Sequence, residues 1–206
     1  MYASTSTTSN TSDNNFLNIV IALASHEIQS VTKIYFNDTE IPVSALDGNG
    51  NVTSGTYSGK AKIKINLGSD NQNADSDLVS EDSNITSDHR FRGIAYLYCR
   101  LEFDEDVYPN GIPNISALIS GKKVLDFRTN ATAFSSNPAL IIYDYLTSSD
   151  GMGASTSEID TTSFTTSANN CDTDITITGG TQNRYECHGV VNLDPVSYTH
   201  LTLPTR

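Results

Sequence analysis

The sequence predicts an α+β fold that is mainly β, with two short helices late in the chain. Three observations carry that expectation. Apolar and polar residues alternate with period two along residues 61–67 and 93–103, the spacing of a strand with one buried face. Clusters of Gly, Asn, Asp and Ser separate the apolar runs and mark turns. Helix-opening signals come only late, first at Asn137-Pro138, where a capping side chain precedes a proline.

Residues 17–24 and 31–36 are short runs rich in Ile, Val, Tyr or Phe, parted by polar residues around 27–30, and read as two strands. Residues 46–59, dense in Gly, Asn, Asp and Ser, supply the left-handed backbone and local hydrogen bonds of hairpin loops. In residues 61–67, Ala61, Ile63, Ile65 and Leu67 share one face, and Lys62, Lys64 and Asn66 the other. That is a half-buried strand. Residues 68–88 hold six acidic side chains, no Lys or Arg, and few apolar positions, so a mobile acidic surface loop is expected.

The longest strand candidate is 93–103. Ala95, Leu97, Cys99, Leu101 and Phe103 lie on one face, and Ile94, Tyr96, Tyr98, Arg100 and Glu102 on the other. The second face is aromatic and amphipathic, as subunit interfaces are. Ile94, Tyr96, Tyr98 and Arg100 are therefore the candidate subunit-interface residues. Acids, two prolines and Asn110-Gly111 break the strand over 104–113, and the runs 115–119 and 124–127 flank Ser120-Gly121-Lys122-Lys123 like the arms of a hairpin.

A helix over 139–146 follows Asn137-Pro138, and Asp150-Gly151 can end it. A second starts at Asp160, where Ile159 and Phe164 can form a hydrophobic staple and Phe164, Ala168 and Cys171 fall on one stripe. Residues 175–178 and 184–191 read as closing strands around Gly179-Gly180.

Charge excludes some functions. With 12 Lys+Arg against 24 Asp+Glu, a net charge of −12, the chain lacks the clustered cations that phosphate backbones require, and direct binding of nucleic acid or anionic membrane is not expected. No apolar run approaches the ~20 residues of a membrane span, and the Ser/Thr/Asn-rich start lacks the pattern of a signal peptide, so a soluble protein made in the cytoplasm is expected. Cys99, Cys171 and Cys187 are odd in number and widely spaced, which fits buried reduced thiols rather than a disulfide framework.

No catalytic, cofactor-binding or metal-binding residue is predicted. Asp47-Gly48-Asn49-Gly50-Asn51 opens like a calcium loop, but Val52 and Ser58 stand where that loop needs Gly and a bidentate Glu, so a plain turn is favoured. Adjacent members of Asp104-Glu105-Asp106 point apart in an extended chain, as do Cys187 and His188. A solvated strand end and a chance pair are the better readings. His89, with Arg90 and Arg92, could anchor the acidic loop, and Gly151-Met152-Gly153 lacks the rest of a nucleotide-binding fingerprint and reads as a helix stop.

Beside these local readings stands an ordered pattern. Gly93-Ile94-Ala95-Tyr96-Leu97-Tyr98 is followed by Tyr108-Pro109-Asn110-Gly111-Ile112-Pro113-Asn114-Ile115, then Gly121-Lys122-Lys123-Val124 with Asp126, Arg128 and Thr129. In order and spacing this resembles the lambda-like tail tip attachment protein J family, the host specificity proteins of the phage tail hub. The resemblance continues through Asn137-Pro138-Ala139, Asp144-Tyr145-Leu146, Gly151, Gly153, Ile159-Asp160 and Phe164 to Arg184-Tyr185 and Gly189-Val190, and includes the opening residues 17–42.

The resemblance implies phage tail hub-like β-rich domains that close the tail tube of a long-tailed phage. It implies a location at the virion tail tip after synthesis in the bacterial host cytoplasm. Other phage tail-tip proteins would be partners, the full-length protein would be a homotrimer, and a missing C-terminal region would meet the host receptor. The expected organisation is a flexible segment over 1–15, a β-rich hub segment over 16–67, the acidic mobile loop over 68–92, and an α+β hub segment over 93–195. Residues 196–206 resemble a translated sequencing adapter joined to a truncated gene, and are expected to lie outside the fold. A carbohydrate-binding or glycan-depolymerising module is the alternative, drawn from the acids and the tyrosine face.

Overall fold

The computed structural model describes residues 5–8 and 15–189. Most of the expected flexible segment, and the adapter-like tail, lie outside the described residues. The chain divides into two compact units, one ending at Phe134 and one beginning at Ser135.

The first unit contains β1 (Thr5–Thr8), β2 (Phe16–Ala24), β3 (Ile28–Phe36), β4 (Thr39–Ile41), β5 (Ala61–Asn66), α1 (Ser76–Glu81), β6 (Ala95–Glu102), β7 (Ile115–Asp126) and β8 (Ala131–Phe134). They build two four-stranded sheets, ordered β1-β2-β6-β5 and β4-β3-β7-β8, with every pairing antiparallel. One apolar core draws on both sheets. Ile19 and Ile21 of β2, Ile63 of β5 and Leu97 and Cys99 of β6 cluster with Ile28, Ile34 and Phe36 of β3. A two-sheet sandwich results, with alternate residues of each strand turned inward.

Consecutive strands β2 and β3 lie in different sheets, so the chain changes sheet across Ser25, His26 and Glu27. Gly68 passes close to that corner at φ +82°, and an added Cβ would sit 2.7 Å from the Ala95 nitrogen. A side chain there would collide with backbone, and only glycine takes that φ without cost.

The predicted strands 17–24, 31–36, 61–67 and 93–103 correspond to β2, β3, β5 and β6. Two expectations are corrected in this unit. Residues 115–127 are not a hairpin: β7 runs unbroken, pairing with β3 through Lys122 and with β8 from Lys123 onward. Ladder bonds on both sides hold Gly121-Lys122-Lys123 extended, overriding their preference for turns. Nor is 68–92 simply a loop with little to bury. It contains α1, whose Leu78 is 3% exposed.

The second unit contains α2 (Pro138–Thr147), α3 (Thr161–Cys171), β9 (Asp174–Ile177) and β10 (Gly180–Asn183). Both late helices start where the capping signals place them. Asn137 Oδ1 accepts from the Ala139 and Leu140 amides, and Asp160 Oδ1 from those of Thr162 and Ser163. Asn137 also donates through Nδ2 to the Ala168 carbonyl at 2.9 Å and to Asp172 Oδ1 at 2.8 Å, tying the start of α2 to the end of α3. Tyr143 and Phe164 meet edge to face at 5.6 Å, over buried Leu140 and Ala168.

After α2, a Cβ on Gly151 would lie 1.9 Å from the Tyr145 carbonyl oxygen, so the helix stop needs glycine. The closing strands form a tighter hairpin than expected. Ile177 pairs with Gly180, which makes Gly180 a strand residue and places the second strand at 180–183 instead of 184–191. Cys99 and Cys171 are buried, and burial pushes the Cys99 thiol up to about 12. Cys187 is exposed, against the expectation of three buried thiols.

Candidate functional site

The outer face of the β1-β2-β6-β5 sheet is assembled by register. Tyr96 lies between Ala22 of β2 and Asn66 of β5, Tyr98 between Val20 and Lys64, and Arg100 between Asn18 and Lys62. Alternation alone turns these side chains away from the core. Three cations from two strands thus stand beside two tyrosines.

This face is where the subunit interface was expected, and the structure covers it from within the chain. Tyr96 is 1% exposed and Tyr98 fully buried, packed against Leu78 of α1 with Val20, Ile85 and Phe91 around them. Phe91 meets the Tyr96 ring edge to face at 5.4 Å. As placed, neither tyrosine can meet another subunit or stack on a sugar. Ile94 lies just before β6 and is exposed. Arg100 is partly exposed, with its guanidinium 3.7 Å above the Phe16 ring centre. The correction has a simple cause: period two identifies an amphipathic face without showing what covers it.

The acidic segment pairs with the cations beneath it. Lys62 meets Asp77, Lys64 lies 3.0 Å from Asp77 and 3.5 Å from Asp75, and Arg100 Nε lies 3.3 Å from Glu81 without hydrogen-bond geometry. Burial works against the Lys64 ammonium, yet its bond to Asp77 and the charges of Asp75 and Asp77 outweigh it and raise its pKa. Burial likewise pushes the Asp77 carboxyl up, and Lys62 and Lys64 outweigh it in the opposite sense, holding it below 3.8. Burial raises both tyrosine hydroxyls, so they stay protonated. Tyr98 donates to Asn18 Oδ1 at 2.9 Å. The Tyr96 hydroxyl and Asn18 Nδ2 are buried without a partner among the described residues.

Gln72, 9% exposed, closes the base of the segment. Its Oε1 accepts from the Gly68 amide at 2.8 Å, and its Nε2 donates to the carbonyls of Arg90, Phe91 and Ile94 at 3.1, 2.9 and 3.4 Å. Nothing in the sequence pattern singles it out. The nearest signal is the run Asn71-Gln72-Asn73 between Gly68 and Asp75, amide side chains capable of bonding both backbone donors and acceptors. His89 accepts from the Thr86 amide through Nδ1 and stays within the segment.

The other candidates resolve into turn chemistry. Asp47 Oδ1 accepts from the amides of Asn49 and Asn51, each at 2.8 Å, while Oδ2 takes the Asn51 side chain. These bonds lower its pKa, the Asn51 side chain foremost. Asp104 accepts from the amides of Asp106 and Val107 and pairs with Lys60 at 3.3 Å, fastening the loop after β6. His188 lies 3.6 Å from Glu186 near exposed Cys187. A cleft of about 390 Å³ beside the Asp47 turn is lined by Val43, Asp47, Gly50, Ile63, Lys64 and Asp75. Its charged groups are those already paired above. Among the described residues, no three His, Cys, Asp or Glu side chains are grouped to hold a metal ion, and no helix is long and apolar enough to cross a membrane.

No family model and no curated protein matches the chain. Among solved structures, a chain described as the virion of a native gene transfer agent particle is similar at 20% identity and a TM-score of 0.36. The likeness covers 59% of this chain and 23% of that one, so this chain spans less than a quarter of its length. At that level the similarity assigns no function.

Proposed function

We propose that the chain is a structural part of a phage-like tail tip, a hub segment that closes the tail tube and supports host attachment, and that it is not an enzyme. The ordered resemblance from Gly93 to Thr129 carries the reading. Its residues run from just before β6 through β6, the loop after it and β7 to the turn beyond, and β6 and β7 are strands that lie inside the two sheets. A resemblance placed there concerns the framework of the domain rather than its decoration.

In this reading the protein works by geometry. Identical subunits related by a rotation axis close a ring against the tube, with other tail-tip proteins as partners and the homotrimer as the assembled state. Host recognition belongs to a further C-terminal region, and the site of action is the tail tip of virions assembled in the bacterial host. Because Tyr96 and Tyr98 are covered, subunit contacts are assigned to surfaces other than the expected four-residue patch. Sedimentation of the protein expressed from its complete gene, alone and with its tail partners, tests the reading. A trimer, alone or with partners, is expected; a monomer in both, at concentrations where tails assemble, overturns it.

A further inference from the structure

The segment between β5 and β6 is fastened to the first unit in two ways. At its base, Gln72 binds the backbone of residues 68 and 90–94. There Phe91 takes φ +48°, a conformation uncommon for a bulky side chain. Along its middle the apolar cover is thin: Leu78 is buried, with Ile85 and Phe91 only partly so. What spans the middle is charge. Lys62–Asp77, Lys64–Asp75, Lys64–Asp77 and Arg100–Glu81 all run from sheet to segment. Apart from Asp75 at 3%, these side chains keep between 22% and 28% exposure, enough for dissolved salt to weaken the pairs.

Closure also has a cost. Among the described residues it leaves the Tyr96 hydroxyl buried without a partner, and water would satisfy it on opening. The main core, on the inner side of the same sheet, includes none of Leu78, Ile85 and Phe91. The fold can therefore lose the segment and keep its core.

We propose that residues 68–92 form a strap that opens as a unit from its base at Gln72 while the two-sheet core stays folded, and that the four charge pairs set how often it opens. Opening hydrates Tyr96 and uncovers a surface bearing two tyrosines, Lys62, Lys64 and Arg100. The device follows from charge and burial and holds whatever the chain assembles into. It reconciles an interface-like face in the sequence with a covered one in the structure.

Hydrogen exchange of the whole protein, followed by peptide mass spectrometry at low ionic strength and at about 1 M salt, tests it. Amides of residues 76–89 should exchange about tenfold faster in high salt, with β2 and β6 unchanged. A Lys62→Gln, Lys64→Gln double variant should reproduce the acceleration at low salt. No acceleration by salt in the unaltered chain overturns the proposal, as does acceleration shared equally by β2 and β6. A folded double variant whose strap exchanges as slowly as the original overturns it as well.

Discussion

At the scale of single residues, one amide and one carboxylate decide how residues 68–92 are held. Gln72 satisfies one backbone amide and three carbonyls from a nearly buried position. Replacing it with alanine leaves buried polar groups without partners, and should cost about 2 kcal/mol in urea unfolding. A cost near zero would mean that water already reaches that base. Asp77 supplies a pH signature. Its folded pKa lies below 3.8, so the stability it contributes is complete above that value and is lost as pH falls through the lower folded value. Lys64 acts in the opposite sense, its contribution complete below 10.5 and lost as pH rises through its raised folded value. In an NMR titration toward acid, the Leu78 methyl signals should therefore leave their folded positions before those of Ile34. Simultaneous loss of both would tie the segment to the global transition.

At the scale of elements, Asn137 stands out because one side chain serves two helices. Asn137→Ala removes the cap of α2 and both bonds to the end of α3, and should cost about 2 kcal/mol or more. Asn137→Ser, which keeps the cap and loses the reach, should recover roughly half of that. Urea unfolding followed by helical circular dichroism measures both, and equal losses would show that the link to α3 carries the effect. These helix starts were legible in the sequence because capping is local chemistry, and β5 and β6 were legible because alternation is local as well. The cover on β6 was not. Leu78, Ile85 and Phe91 stand apart, with every residue of 80–84 and 86–90 polar, so they form no sustained apolar period, and the acids between them imitate a solvated loop. The unbroken β7 was also hidden, since the partner of its first two thirds, β3, lies roughly eighty residues earlier in the chain, while β8 joins it by a short turn only from Lys123 onward. Of the expected interface, the face was legible and its burial was not, because burial depends on a segment held mainly by long-range ion pairs.

At the scale of the molecule, the sandwich is made largely by strands remote in sequence. Tyr98 reaches Asn18 across 80 residues, Thr32 reaches the Leu118 carbonyl across 86, and Lys123 reaches Glu27 across 96. Loop closure must be achieved before such contacts return any stabilisation, so refolding of the first unit should take milliseconds to seconds. With ten tyrosines and no tryptophan, stopped-flow tyrosine fluorescence can follow it, and complete recovery within microseconds would contradict the topology. The same sheet order governs what happens during synthesis. When β2 and β3 leave the ribosome, their inner-sheet partners β6 and β7 have not yet been translated. At a translation rate of about 5–20 residues per second, both strands wait several seconds with apolar faces uncovered and the ladder groups that face β6 and β7 unpaired. A nascent chain built this way depends on protection from neighbouring chains until β7 has emerged.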